Sequence, residues 1–172
     1  MSGERMEPTA VWDIRPWGGQ MFRVGDFNGD GRPEVLFLQS SGAHANEAFD
    51  PRFPELKFYK TGFEDQELFC LTLVDTSGEI IWQTGAPWAE DRPFSWNGHW
   101  GKFCDVVDLD GDGKREILLV HKDELRIFDG TTGQQKNVLK LPNSGFNYTR
   151  AVRVDHSGQH HIFTKSGTSS RE

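Results

Sequence analysis

Apolar residues along this chain come in short runs separated by turn-forming residues. Met21 to Val24, Val35 to Leu38, Phe103 to Val107 and Ile117 to Val120 are each too short for a helix and rich in branched or bulky side chains, which marks them as strands. Leu71-Thr-Leu-Val-Asp75 turns at Ser77-Gly78 into Ile80-Ile81-Trp82, and Leu125-Arg-Ile-Phe-Asp129 turns through Thr132-Gly133 into Val138-Leu139-Lys140. Both read as hairpins. No segment sustains a 3.6-residue period, so helices are not expected. The predicted fold class is all-β.

Sliding the chain against itself exposes a repeat. Asp26-Phe-Asn-Gly-Asp-Gly-Arg-Pro-Glu34 reappears 82 positions on as Asp108-Leu-Asp-Gly-Asp-Gly-Lys-Arg-Glu116. A third copy, Arg153-Val-Asp-His-Ser-Gly-Gln-His-His161, keeps Asp155 and Gly158 in register, but its other acidic positions have decayed. It reads as a structural relic. Each unit is a loop hairpin, a connection and a second hairpin, and four strands in about 45 residues is the module of a β-propeller blade. The expected architecture is therefore β-propeller-like, with about three four-stranded blades in a single domain. The units fall at about 18–100, 101–148 and 149–172, the last incomplete.

The first unit carries an insertion at about 40–67 that holds Phe49, Phe53, Phe58, Tyr59 and Phe63. A loop of that length carries function or packs as a lid. Upstream, Ala10 to Ile14 is expected to be an outer strand completing a neighbouring blade. A closed propeller takes at least about four blades, so a larger parent chain or a homo-oligomer is expected to close the ring.

The repeated loops carry the candidate chemistry. Their side-chain oxygens fall at positions one, three, five and nine: Asp26, Asn28, Asp30 and Glu34, then Asp108, Asp110, Asp112 and Glu116. A glycine at position six permits a sharp turn, after which the carbonyl at position seven, Arg32 or Lys114, can face inward. Hard oxygen donors without His or Cys suit calcium. An EF-hand would place its glutamate at position twelve between helices; here it stands at nine and strand residues follow at once. Asn-Gly and Asp-Gly pairs also make plain hairpin turns, but a turn does not need acids at four alternating places, twice over. Two Ca2+ sites are predicted, with the first weaker because an amide replaces one carboxylate. Affinities on the order of 10⁻⁴–10⁻³ M, typical of extracellular modules, are expected. The ion's role is then to fasten a hairpin that like charges would push apart.

Composition narrows the partners. The formal charge is −7, with 26 acidic residues against 19 basic ones and no basic cluster. Nucleic acid and anionic membranes are therefore poor partners. More than half of the net charge is confined to the two loops, where divalent ions would cancel it. No stretch approaches the ~18 apolar residues of a membrane span, so no membrane insertion is expected. The segment Met1 to Pro8 lacks the apolar core of a signal peptide, which implies either an intracellular protein or one whose leader is gone. Weak calcium binding argues for the extracellular space or cell surface. Cys70 and Cys104 sit in apolar, strand-like runs and are expected to be buried thiols rather than a disulfide.

With these residues in view, Val24-Gly-Asp-Phe-Asn-Gly-Asp-Gly-Arg-Pro-Glu-Val35 and Val107-Asp-Leu-Asp-Gly-Asp-Gly-Lys-Arg-Glu-Ile117 resemble the calcium loops of FG-GAP (VCBS-type) propeller repeats. That family includes the integrin α-subunit head and many bacterial surface proteins. The resemblance covers roughly residues 18–165 and is strongest at the two loops. It implies a propeller, calcium at the ten positions named above, and a role in adhesion, ligand binding or architecture with a glycan or a protein as ligand. The Phe-Gly/Gly-Ala-Pro signature is not intact; Gly18-Gly19 and Trp100-Gly101 are partial echoes. A second resemblance is to rhamnogalacturonan lyases built on a calcium-loaded propeller, which implies β-elimination on pectin. None of that family's catalytic residues can be placed on this chain, so the alternative of a carbohydrate-active enzyme fragment comes without a catalytic site.

Two further clusters have simpler explanations. Trp82, Trp88, Trp96 and Trp100, with Asn97 and His99, serve either as filler between blades or as a platform for sugar rings. His156, His160 and His161 have helical zinc spacing in a segment that reads as a hairpin, where neighbours alternate faces; they are expected to be surface histidines.

Overall fold

The computed structural model describes residues 10–18, 21–40, 69–87, 103–121, 123–142, 146–154 and 158–166. Ten strands account for most of them: β1 Met21–Gly25, β2 Glu34–Ser40, β3 Phe69–Val74, β4 Ile80–Gly85, β5 Cys104–Val107, β6 Glu116–His121, β7 Glu124–Asp129, β8 Gln135–Lys140, β9 Phe146–Arg153 and β10 His160–Ser166. Among the described residues the only helical element is a single 3-10 turn at Arg15–Trp17. The chain is all-β.

Every strand pairs antiparallel with its sequence neighbour inside its sheet. The first sheet runs β1-β2-β3-β4, the second β5-β6-β7-β8, and β9 and β10 form a separate hairpin. Register aligns Val24 with Val35 and Leu36 with Leu73 in the first sheet. The second aligns Val106 with Ile117 and Leu118 with Ile127.

Position within a sheet explains the residue choice. All six residues of β3 and of β6 are buried, so both faces of these inner strands are covered and their sequences are nearly continuous in apolar residues. The outer strand β8 is exposed along its whole length and is largely polar. One core joins the sheets: Leu36, Leu38, Leu71 and Leu73 from the first meet Ile117, Leu119, Ile127 and Phe128 from the second. Ala151 and Ile162 of the β9–β10 hairpin pack against the same core. The indole of Trp82 on β4 donates to the Gly130 carbonyl at 3.0 Å, tying the first sheet to the β7–β8 turn.

Residues Ala10 to Ile14 are not a strand. They form an irregular segment that ends in the Arg15–Trp17 turn. Pro16 brings no N–H for a ladder. Trp17 is buried instead against Phe37, with ring centroids 5.0 Å apart, and Trp12 packs edge-on to it at 5.6 Å. This pair covers part of the first sheet's outer face. Of the insertion expected at about 40–67, Ser40 belongs to β2; its residues 41–67, the residues Trp88, Trp96, Asn97, His99 and Trp100, and His156 lie outside the described residues.

Candidate metal centres

Each acidic loop bridges the first two strands of its sheet, so the ladder fixes both of its ends. In the first loop Asp26 and Glu34 flank the β1–β2 connection, where Gly25 pairs with Glu34. In the second, Val107 pairs with Glu116. The closing glutamates are buried, at 3% exposure each, although the tips of the loops, residues 29–33 and 110–114, face solvent. A carboxylate held there needs hydrogen bonds or a cation to compensate it.

Backbone N–H groups supply part of that compensation. Asp26 accepts from Gly29 N–H at 2.7 Å and Gly31 N–H at 2.8 Å, one on each oxygen. Asp108 repeats the arrangement with Gly111 at 2.7 Å and Gly113 at 3.1 Å. Glu34 accepts from Phe27 N–H at 2.8 Å and Glu116 from Leu109 N–H at 2.9 Å. Gly31 and Gly113 have φ of 84° and 87°, a left-handed backbone that a side chain resists. The curl predicted at position six is therefore present in both loops.

Carboxylate oxygens of Asp26, Asp30 and Glu34 lie within 4.8 Å of one another, and so do those of Asp108, Asp110 and Glu116. Either group could hold a metal ion, and the all-oxygen donor set fits a hard cation. Asn28 stands between Asp30 and Glu34, but its amide nitrogen faces them, 3.3 Å from Asp30 Oδ2 and from Glu34 Oε1. A half-turn of that amide exchanges its donor for an acceptor. Arg32 N–H donates to Asp30 Oδ1 and Lys114 N–H to Asp112 Oδ1, both at 2.8 Å. Asp112 stands outside the second carboxylate group.

Electrostatics differ between the loops. Burial holds the Glu34 carboxyl above its ordinary value of 4.5; the Phe27 N–H opposes this, and the charges of Asp30 and Asp26 add to it. Two like charges beside a buried carboxylate favour either a proton or a cation. In the second loop a cation is already there, because the Lys136 ammonium lies 2.7 Å from Glu116 Oε1 and 3.7 Å from Asp110 Oδ2. That ammonium supplies positive charge to the second group. Lys136 lies on β8 in the second hairpin, too far along the chain for the loop motif to flag it.

The loops also touch. Arg115, at position eight of the second loop, donates its backbone N–H to the Phe27 carbonyl at 3.2 Å and its Nε to the Asp26 carbonyl at 2.9 Å. In the third copy position eight is His160, whose Nδ1 lies 3.1 Å from the Leu109 carbonyl. Phe27 and Leu109 both stand at position two. His160 thus has a partner in the neighbouring loop, and His161 is exposed on the same strand. The only signal of this contact in the sequence is a basic residue at the same place in each later copy.

No family model matches the chain, and no curated protein matches it. Among solved structures it is similar to the V. cholerae biofilm matrix protein Bap1, at 16% identity with a TM-score of 0.34, over 80% of this chain and 26% of that one. The chain thus spans about a quarter of the length of that structure. A likeness this low assigns neither fold nor function.

Proposed function

We propose that this chain is a calcium-stabilised segment of a β-propeller with FG-GAP-like repeats, serving a binding, adhesion or structural role outside the cytoplasm. The observation that carries the reading is the pair of carboxylate groups at equivalent places in two equivalent sheets, each closed by a buried glutamate. Like-charged oxygens held this close are destabilised without a counter-ion. Asp26, Asn28, Asp30, Glu34 and the Arg32 carbonyl would hold one ion. Asp108, Asp110, Asp112, Glu116 and the Lys114 carbonyl would hold the other. Bound calcium would supply charge neutralisation and would cross-link the two ends of each hairpin.

The propeller half of the reading is supported by the inter-loop contact. Position eight of one copy meets position two of the copy before it, from the first loop to the second and again from the second to the third. Repeating one contact between successive repeat units is how a radial array is built. Ring closure would take further units, from a longer parent chain or from a second copy.

Titration calorimetry with calcium chloride, paired with molar mass in solution with calcium and then with chelator, tests the proposal. Uptake of calcium with a melting temperature that falls on chelation is the expected result. A folded chain that takes up no calcium refutes it.

A further inference from the structure

The second hairpin of each four-stranded sheet contains a β-bulge at the same place. In the first sheet Leu73 pairs with Trp82 and Val74 with Ile80, leaving Ile81 without a partner across the ladder. In the second, Ile127 pairs with Asn137 and Phe128 with Gln135, leaving Lys136. A bulge re-aims the side chain it carries. Ile81 is apolar and exposed, whereas Lys136 reaches back across the sheet to Glu116 and Asp110. Both are members of the second carboxylate group. Among the described residues, no Lys or Arg lies within ion-pair distance of Asp26, Asp30 or Glu34.

We propose that Lys136 is a tethered counter-cation of the second loop, competing with a divalent ion for Glu116 and Asp110, so that the second loop is compensated without metal and the first is not. The inference rests on the calcium reading above and deepens it by giving the two sites different dependence on the ion. Glu116 cannot give both oxygens to a divalent ion while one of them accepts from an ammonium at 2.7 Å. Lys136 must swing into solvent first, and its half-exposed side chain leaves that path open. Carboxylate count alone ranks the second loop as the tighter site, and the ammonium offsets that advantage. In the first loop the same bulge presents an isoleucine, which neither competes nor compensates.

The test is calorimetry with calcium chloride on the wild type, Lys136→Met and Lys136→Arg, with each protein also melted in chelator. Lys136→Met keeps most of the stem and removes the charge. One of its two calcium sites is expected to tighten by about tenfold or more, since a like charge next to the ion is gone. It is also expected to melt below the wild type in chelator and to regain the difference when calcium is added. Lys136→Arg is expected to behave as the wild type does. Should Lys136→Met not fold, Lys136→Gln carries the same expectations with a polar end in place. Wild-type calcium uptake with no tightening in the uncharged variant overturns the counter-cation while the calcium reading stands. No uptake by any variant overturns both, and tightening confined to the uncharged variant establishes the competition.

Discussion

The backbone N–H of Arg115 donates to the carbonyl of Phe27 at 3.2 Å, and the same residue's Nε reaches the Asp26 carbonyl at 2.9 Å. One residue of the second loop therefore closes two acceptors of the first. Phe27 is fully buried beneath this contact, so the loops are coupled through backbone and core together. Arg115→Met keeps the apolar stem and the backbone bond but loses the guanidinium donor. Leaving a partly buried carbonyl without that charged donor is expected to cost about 1–2 kcal/mol. Urea denaturation of the two proteins checks this. Arg115→Lys is expected to recover only part of the loss, because a point charge does not reproduce the fixed Nε direction.

Glu34 predicts a pH dependence of defined sign. Its carboxyl is held above the ordinary 4.5 by burial, so the folded state holds this proton more tightly than the unfolded chain does. Its contribution to stability is then present in full below 4.5 and is lost as pH rises through the folded value. In calcium-free solution, Glu34→Gln is expected to gain stability relative to the wild type as pH climbs past 4.5. With saturating calcium the order reverses, because glutamine is a neutral ligand where the ion needs a charge. Melting curves of both proteins from pH 4 to pH 7, with and without calcium, read the two signs separately.

The strands were legible because the inner ones are either nearly continuous in apolar residues, as β3 and β6 are, or set apolar residues at their buried positions, as β7 does, and all are bounded by turn residues. Leu71 to Asp75 and Leu125 to Asp129 could be placed from the chain alone for that reason. The acidic loops were legible too, since curling a short segment through Gly31 or Gly113 brings alternate side chains together. Ala10 to Ile14 misled, because four apolar residues in five look like a strand when only Trp12 among them packs, against the face of the first sheet. Trp12 and Trp17 bind that face through ring contacts with each other and with Phe37, which no local pattern encodes. Lys136 was invisible for a different reason. It meets Glu116 across two strands and through a bulge, and a bulge moves a side chain by one register without leaving a mark in the periodicity.

Gly133 and Gly31 separate backbone strain from collision. Both have positive φ, 69° and 84°. A Cβ on Gly133 would stand 2.5 Å from Trp82 Cε3, whereas nothing lies within 4 Å of one on Gly31. Gly31→Ala is therefore expected to cost about 1 kcal/mol, from the left-handed backbone alone. Gly133→Ala adds overpacking and is expected to cost about 2–4 kcal/mol. It should also disturb the Trp82 indole bond to the Gly130 carbonyl, so a shift in Trp fluorescence accompanies the loss. Equal costs at the two positions would mean that Trp82 yields without resistance.

Cys70 and Cys104 are both free and buried, one in each four-stranded sheet. Burial pushes the Cys70 thiol up to about 11, with the Thr72 hydroxyl opposing, and the Cys104 thiol up to about 12, with Arg23 opposing and Asp105 adding. Neither forms thiolate at pH 8, and neither is open to a reagent, so labelling must wait for local opening. A thiol reagent is expected to leave the folded protein unmodified on the timescale in which it labels both cysteines in guanidinium chloride. Cys104→Ala and Cys70→Ala then leave one reporter in each sheet. If calcium fastens the first loop and Lys136 already compensates the second, chelation should speed labelling of Cys70 more than of Cys104. In a Lys136→Met background the two rates should rise together. Equal acceleration in the wild type would place the same demand for calcium on both loops.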